Sequence, residues 1–276
     1  MTQLCGEFLT FTLDTQLDGS CIKKMTDREY GIGGYSKEHV AKLVAAVPEP
    51  YCTISGRVEK GVERMLHDST LVENTIKAII KFCSENKLNA DINIEGLALF
   101  EENECILHAA FLNKLGVALK NANIKFRLVT VAEDGNLFHG KWRNELLRDV
   151  VCDYVVFMQY DRFWDYGRVG NTPIDFLKST INNAKKCLGN AWKDKYICGL
   201  PNYGHVAYTD NVWKAEIMTR GQLYKRGYNT LPVTRDPASF ELTWEGVGRI
   251  KNFPIGKVFY FFTDQYALDE KTKVAM

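Results

Sequence analysis

The sequence predicts an α/β protein built as a TIM-like (β/α) barrel, and three observations carry that expectation. Strand-like and helix-like segments alternate, with short connections, along most of the chain. The run Asp153 to Tyr160 (DYVVFMQY) is almost continuously apolar, as in a parallel strand covered on both faces. The run Leu88 to Glu95 (LNADINIE) alternates near its end, so that Asp91, Asn93 and Glu95 share one face while Ile92 and Ile94 share the other. A barrel strand has this pattern when its interior face carries chemistry near the C-terminal rim, where Glu95 falls. An edge strand with a solvated face has it too, and an open doubly wound sheet is the alternative architecture.

The elements follow in order. Glu7 to Leu13 (EFLTFTL) alternates and is rich in aromatic and β-branched residues, which predicts a strand, and Asp18-Gly19-Ser20 predicts a turn after it. The glycine-rich Gly31-Ile32-Gly33-Gly34 lacks the strand–turn–helix setting of a phosphate loop. Ser36 is placed to cap a helix reaching Val47, which Pro48 and Pro50 end. A strand at Tyr51 to Ser55 precedes a long amphipathic helix, capped by Asp68 or Ser69 and running to Asn86. After Leu88 to Glu95 come a helix from Glu104 to Ala122, a strand from Lys125 to Ala132, a helix from Trp142 to Arg148 and the Asp153 to Tyr160 strand. Thr172-Pro173 opens a helix to Leu188, with Pro173 suited to its first position. Strands at Tyr196 to Leu200 and Lys257 to Thr263 complete a set of seven, with a helix at Ser239 to Arg249 between them. Seven located strands predict a barrel that is incomplete.

Composition narrows the class. The chain has 276 residues, 46% hydrophobic and 25% charged, which is ample for a core, and no low-complexity linker divides it, so one domain spanning 1–276 is expected. A formal charge of +1 gives no electrostatic reason to expect nucleic acid or an anionic membrane as partner. No apolar run approaches the length that spans a bilayer, and the first residues lack the pattern of a secretory signal, so a cytoplasmic location is expected, or a mature form with its signal removed. The eight cysteines form no Cys-x-x-Cys pair and are expected reduced and mostly buried. The five histidines do not cluster with them, so no metal site is expected.

Four predicted strand ends resemble the motifs of glycoside hydrolase family 18, the chitinase family. Tyr51 to Gly56 (YCTISG) resembles its serine-glycine-glycine strand, with Arg57 in place of the second glycine. Asp91-x-Asn93-x-Glu95 resembles the end of its Asp-x-x-Asp-x-Asp-x-Glu signature. Met158-Gln159-Tyr160-Asp161 resembles Met-x-Tyr-Asp, and Gly199 to Gly204 (GLPNYG) resembles its Gly-Leu-Pro-Phe-Tyr-Gly stretch. In this register Glu7 to Leu13 resembles the family's second strand, so its usual first strand is missing or replaced. The chain departs from the pattern at Leu88, which stands at the signature's first aspartate, and at Asn93, which stands at its middle one. The Asn-x-Glu ending resembles glycoside hydrolase family 85, the endo-β-N-acetylglucosaminidases. Phe261, Phe262 and Thr263 occupy the region of the family 18 tryptophan.

The resemblance implies a substrate-assisted reaction on β-linked N-acetylglucosamine with no cofactor. It makes Glu95 the acid, Asn93 and Tyr160 the groups that orient and polarise the 2-acetamido group, and Asp91 the residue that holds Asn93. Met158, Asp161, Trp164, Tyr203 and Phe262 become substrate-contact candidates, and Tyr166 and Trp244 are further aromatics able to stack on sugar. Each has a plainer reading: Glu95 as an ion-pair partner, Tyr160 as a core tyrosine, the aromatics as packing. Two rivals remain: a non-catalytic chitinase-like glycan-binding protein, and a barrel enzyme acting on another substrate.

Overall fold

The computed structural model of the protein describes residues 3–25, 34–58, 61–133, 142–162, 169–208, 216–225, 233–250 and 253–276. The chain packs as two compact units. The first comprises Met1–Thr130, Asn136–Phe157 and Ala184–Ile197; the second comprises Val131–Gly135, Met158–Asn183 and Cys198–Met276.

The first unit is built on a seven-stranded sheet. Its strands are β1 (Gln3–Phe11), β2 (Ile22–Lys24), β3 (Glu49–Arg57), β4 (Asn89–Glu95), β5 (Phe126–Val131), β6 (Tyr154–Met158) and β7 (Tyr196–Gly199). Their order is β2-β1-β3-β4-β5-β6-β7. β1, β3, β4 and β5 pair in parallel, and β2 pairs antiparallel with β1. Among the described strands the order ends at β2 and β7 without closing. Six of the seven expected strands are members, and the seventh place is taken by β2, too short to carry a readable pattern.

The helices start and stop where local chemistry dictates. In α1 (Lys37–Ala46) the Ser36 side chain accepts the His39 N–H. A short α2 (Val62–Leu66) precedes α3 (Ser69–Asn86), whose N-terminus is capped by the Asp68 carboxylate accepting the Thr70 and Leu71 N–H groups. Leu71, Val72, Thr75, Ile76, Ile79, Phe82 and Cys83 form its buried stripe, at the spacing of one helix face. α4 (Glu102–Asn121) opens on a capping box between Glu101 and Glu104. Its Gly116 is required by a close approach, since a Cβ there would lie 1.8 Å from the Val151 carbonyl oxygen. Trp142 is fully buried and donates its indole N–H to Asn144 Oδ1 at 3.2 Å. The helix expected from Trp142 to Arg148 is only a 3₁₀ turn, Asn144–Leu147. α5 (Ile174–Leu188) follows Pro173 as expected, and the short α6 (Trp192–Lys195) leads into β7.

The second unit holds a five-stranded sheet ordered β10-β11-β12-β8-β9. These strands are β8 (Gly204–Tyr208), β9 (Glu216–Met218), β10 (Thr234–Arg235), β11 (Leu242–Ile250) and β12 (Phe253–Phe262), every pair antiparallel. α7 (Arg220–Lys225) and α8 (Gln265–Ala275) belong to this unit, and Asp264 caps α8 by accepting the Ala267 N–H. Two sequence expectations are corrected here. The helix expected at Ser239 to Arg249 is β11, in which Trp244 is buried and its neighbour Glu245 exposed; Gly246 and Gly248 weaken a helix at this point. The strand expected at Lys257 to Thr263 exists as part of β12, but it lies between β11 and β8 in the antiparallel sheet. Both its faces are buried, with Tyr260 and Phe262 in one apolar cluster and Phe259 and Phe261 in another, so its apolar run imitates a parallel barrel strand.

All eight cysteines are free thiols; six are buried, Cys198 is partly exposed and Cys5 is exposed. Among the described residues no helix is long and apolar enough to cross a membrane, and no cluster of histidine, cysteine and carboxylate side chains is arranged to hold a metal ion.

Candidate active site

In the first unit β4 carries three polar residues on one face and ends at Glu95. Asp91 is 2% exposed, Asn93 is partly buried, and Glu95 is exposed. Ile92 and Ile94 are buried on the opposite face, as strand alternation requires. The parallel register sets Thr53 across from Asp91, Ser55 across from Asn93 and Arg57 across from Glu95 on the β3 side. On the β5 side Arg127 faces Asp91 and Val129 faces Asn93.

Asp91 is fully engaged below the strand end. It accepts the Thr53 hydroxyl at 2.7 Å and Arg127 Nε at 2.6 Å. Burial alone would draw the Arg127 guanidinium down, but the hydrogen bond and charge of Asp91 outweigh it and hold its pKa above the ordinary arginine value. The guanidinium also lies 4.5 Å from the Tyr51 ring centroid and reaches Gln3 Oε1 at 3.4 Å. Burial pushes the Tyr51 hydroxyl well above the usual phenol range. Asn93 stands one step nearer the rim. Its Oδ1 is buried and, among the described residues, meets no hydrogen-bond donor. A buried carbonyl left without a donor is costly, which sets this atom apart from the satisfied groups of Asp91 below it.

In the second unit the end of β6 and the residues that follow it carry a polar cluster. Met158, Tyr160 and Asp161 are partly exposed. The Tyr203 hydroxyl donates to Asp161 Oδ1, and the Tyr160 and Tyr203 rings meet edge to face at 6.2 Å. Burial, and after it the Asp161 charge, drives the Tyr203 phenol far above its ordinary pKa, so it stays a donor. Asp161 has φ 66, a left-handed backbone that costs a non-glycine residue on the order of 1 kcal/mol or more. Its N–H is taken by Asn171 Oδ1 at 2.6 Å.

Phe262 packs with Val206, Met218, Trp244, Val258 and Tyr260 in the apolar core of the antiparallel sheet. Trp244 is held there too, stacked on Tyr260 at 5.0 Å. Trp164 and Tyr166 lie outside the described residues. Sequence reasoning missed Arg127, although a charged residue inside the apolar run KFRLVTVA is itself a signal of a buried partner. It also missed Asn171, which takes the Asp161 N–H from ten residues along the chain.

No protein-family model matches the sequence, and no curated protein matches it either. Solved structures share its fold. A chitinase from Chromobacterium violaceum superposes with a TM-score of 0.75 at 13% identity, over 96% of this chain and 80% of that one. Catalytic domain 2 of the Group II chitinase of Ostrinia furnacalis superposes with a TM-score of 0.74 at 14% identity, over 99% and 78%. The spore cortex-lytic enzyme SleL of Bacillus cereus gives a TM-score of 0.74 at 15% identity; there the whole of this chain covers 60% of the other. The fold is thus the mixed α/β, barrel-like one of chitinase structures.

Proposed function

We propose that the protein is a glycoside hydrolase that cleaves β-linked N-acetylglucosamine by a substrate-assisted, retaining reaction, with Glu95 as general acid and base. The observation that carries this reading is the state of the β4 face. Asp91 is already paired with Arg127 and hydrogen-bonded by Thr53, Asn93 keeps a buried acceptor without a donor among the described residues, and Glu95 stands exposed at the strand end. One group is held, one has no donor among the described residues, and one is open to solvent.

In the reaction the 2-acetamido oxygen of the sugar attacks its own anomeric carbon as Glu95 gives its proton to the departing glycosidic oxygen. Asn93 Oδ1 accepts the acetamide N–H and aligns the attacking oxygen. Water then opens the cyclic intermediate with retention of configuration, and Glu95 takes the proton back. For Tyr160 the Met-x-Tyr-Asp resemblance implies the role of donor to the acetamide carbonyl, and for Asp161 that of a rim contact. Chitin oligosaccharides, chitobiose-core glycans and peptidoglycan all contain the required unit, and the fold is shared with chitinases and with a cortex-lytic enzyme. A non-catalytic glycan-binding protein is the second reading, favoured by Leu88 and Asn93 standing where the family signature has aspartates. Incubation with the three polymers and a count of new reducing ends separates the two. Cleavage lost in Glu95→Gln supports the hydrolase; glycan affinity with no cleavage supports the binding protein.

A further inference from the structure

The segment bearing Tyr160 and Asp161 is fixed, within the second unit, by a chain of buried polar groups that leads to an ion pair. Asn171 is fully buried and accepts the Asp161 N–H through Oδ1 at 2.6 Å and the Arg162 N–H through its carbonyl at 3.1 Å. The Thr172 hydroxyl donates to the Gln159 carbonyl at 2.8 Å. The Asn171 and Thr172 N–H groups in turn donate to the two carboxylate oxygens of Glu241, at 2.9 and 3.1 Å. Glu241 and Lys271 are both 0% exposed and meet at 2.5 Å. The fit is close: a Cβ on Gly170 would fall 2.1 Å from Ser239 Oγ and 3.3 Å from the Glu241 carboxyl carbon.

Packing alone does not ask for this pair. A buried carboxylate and ammonium lose their hydration, and an apolar pair of the same volume commonly holds a core together as well or better. What an apolar pair lacks is acceptors for two backbone N–H groups. Those N–H groups belong to the residues that hold Gln159, Asp161 and Arg162, and Asp161 needs holding because its backbone is left-handed.

We propose that Glu241, paired with Lys271, is a positioning residue for the Tyr160–Asp161 segment, acting through Asn171 and Thr172. The proposal rests on the glycosidase reading for its catalytic consequence, and on the unit's own hydrogen bonds for its structural one.

The test uses the full chain and three variants: Glu241→Gln, the combination of Glu241→Gln with Lys271→Met, and Asn171→Ala. Hydrogen exchange of peptides covering 158–162 reads the segment without reference to turnover. Reducing-end rates on a chitobiose-containing substrate read its consequence. Glu241→Gln is expected to speed exchange at 159–162 about tenfold and to lower kcat about tenfold, with KM changed less than twofold. The combined variant leaves no unpaired charge but still offers one acceptor oxygen to two N–H groups, so its exchange and kcat are expected to stay within about threefold of those of Glu241→Gln. Asn171→Ala leaves the ion pair intact and is expected to reproduce the Glu241→Gln signature, which guards against a Glu241 variant that does not fold. Unchanged exchange at 159–162 in Glu241→Gln and Asn171→Ala overturns the proposal. So does a kcat per folded molecule equal to wild type in both. A wild-type chain that neither cleaves nor binds the sugar overturns the glycosidase reading alone; the exchange rates then still decide whether Glu241 holds the segment.

Discussion

Acid should destabilise this protein through His108, and the size of the effect can be worked out. His108 lies in α4 between the rings of Phe100 and Trp142, at centroid distances of 5.3 and 5.0 Å. It is buried, and among the described residues neither ring nitrogen meets a hydrogen-bond partner. Burial pushes its pKa down to about 3 from an ordinary 6.5. The fold therefore favours the neutral ring, while the unfolded chain takes up a proton near pH 6.5. The contribution is fully present above pH 6.5 and is lost as the pH falls from there towards 3, where it levels off. At ~1.4 kcal/mol per pH unit the whole window amounts to about 5 kcal/mol, and about 2 kcal/mol is gone by pH 5. Urea unfolding followed by tryptophan fluorescence between pH 7.5 and 4.5 measures it, with His108→Leu as the comparison. Other acid-sensitive groups are common to both chains and cancel, including His205, which burial holds down to about 4. Wild type should lose about 2 kcal/mol more than the variant by pH 5. Parallel slopes for the two chains would refute the reasoning.

Arg127→Met removes the only charge paired with buried Asp91 among the described residues and should cost about 3–5 kcal/mol in urea unfolding; adding Asp91→Asn should recover at least half of that loss. Gly116→Ala drives a methyl into the Val151 carbonyl and should cost about 1–3 kcal/mol, read as a lower denaturation midpoint with an unchanged slope. Eight thiols should react in denaturant, whereas in the native protein Cys5 should react first, because it is exposed while burial pushes the Cys83 thiol up to about 12.

The parallel part of the fold was legible because its signals are local. Asp68 and Ser36 announce helix starts through side chains that cap their own first turns, and β4 announces its two faces through strict alternation. The antiparallel sheet was misread where a local signal is ambiguous. β12 is buried on both faces, so its pattern cannot be told from a parallel strand, and the partners that decide the matter, β8 and β11, are set by pairing. The same division runs through the candidate site. Asp91, Asn93 and Glu95 could be named because they share one strand. Arg127 reaches Asp91 from 36 residues away, and Glu241 reaches Asn171 from 70. Such contacts leave no periodic trace, and only the unexpected charge in an apolar run hinted at the first. Phe262 was chosen for a strand end in the barrel, and the antiparallel pairing of β12 places it in an apolar core instead.

The most direct test of the central claim is the rate of reducing-end release from one chitobiose-containing substrate by wild type, Glu95→Gln and Asn93→Asp. Glutamine cannot serve as the acid, so Glu95→Gln should lose about a thousandfold in rate, equivalent to about 4 kcal/mol of barrier. Asn93→Asp should retain or raise the rate if an aspartate charge can stabilise the cyclic intermediate as in family 18. It should lower the rate if the amide is required, as the family 85 resemblance implies. An active wild type whose rate is untouched by Glu95→Gln would contradict the account.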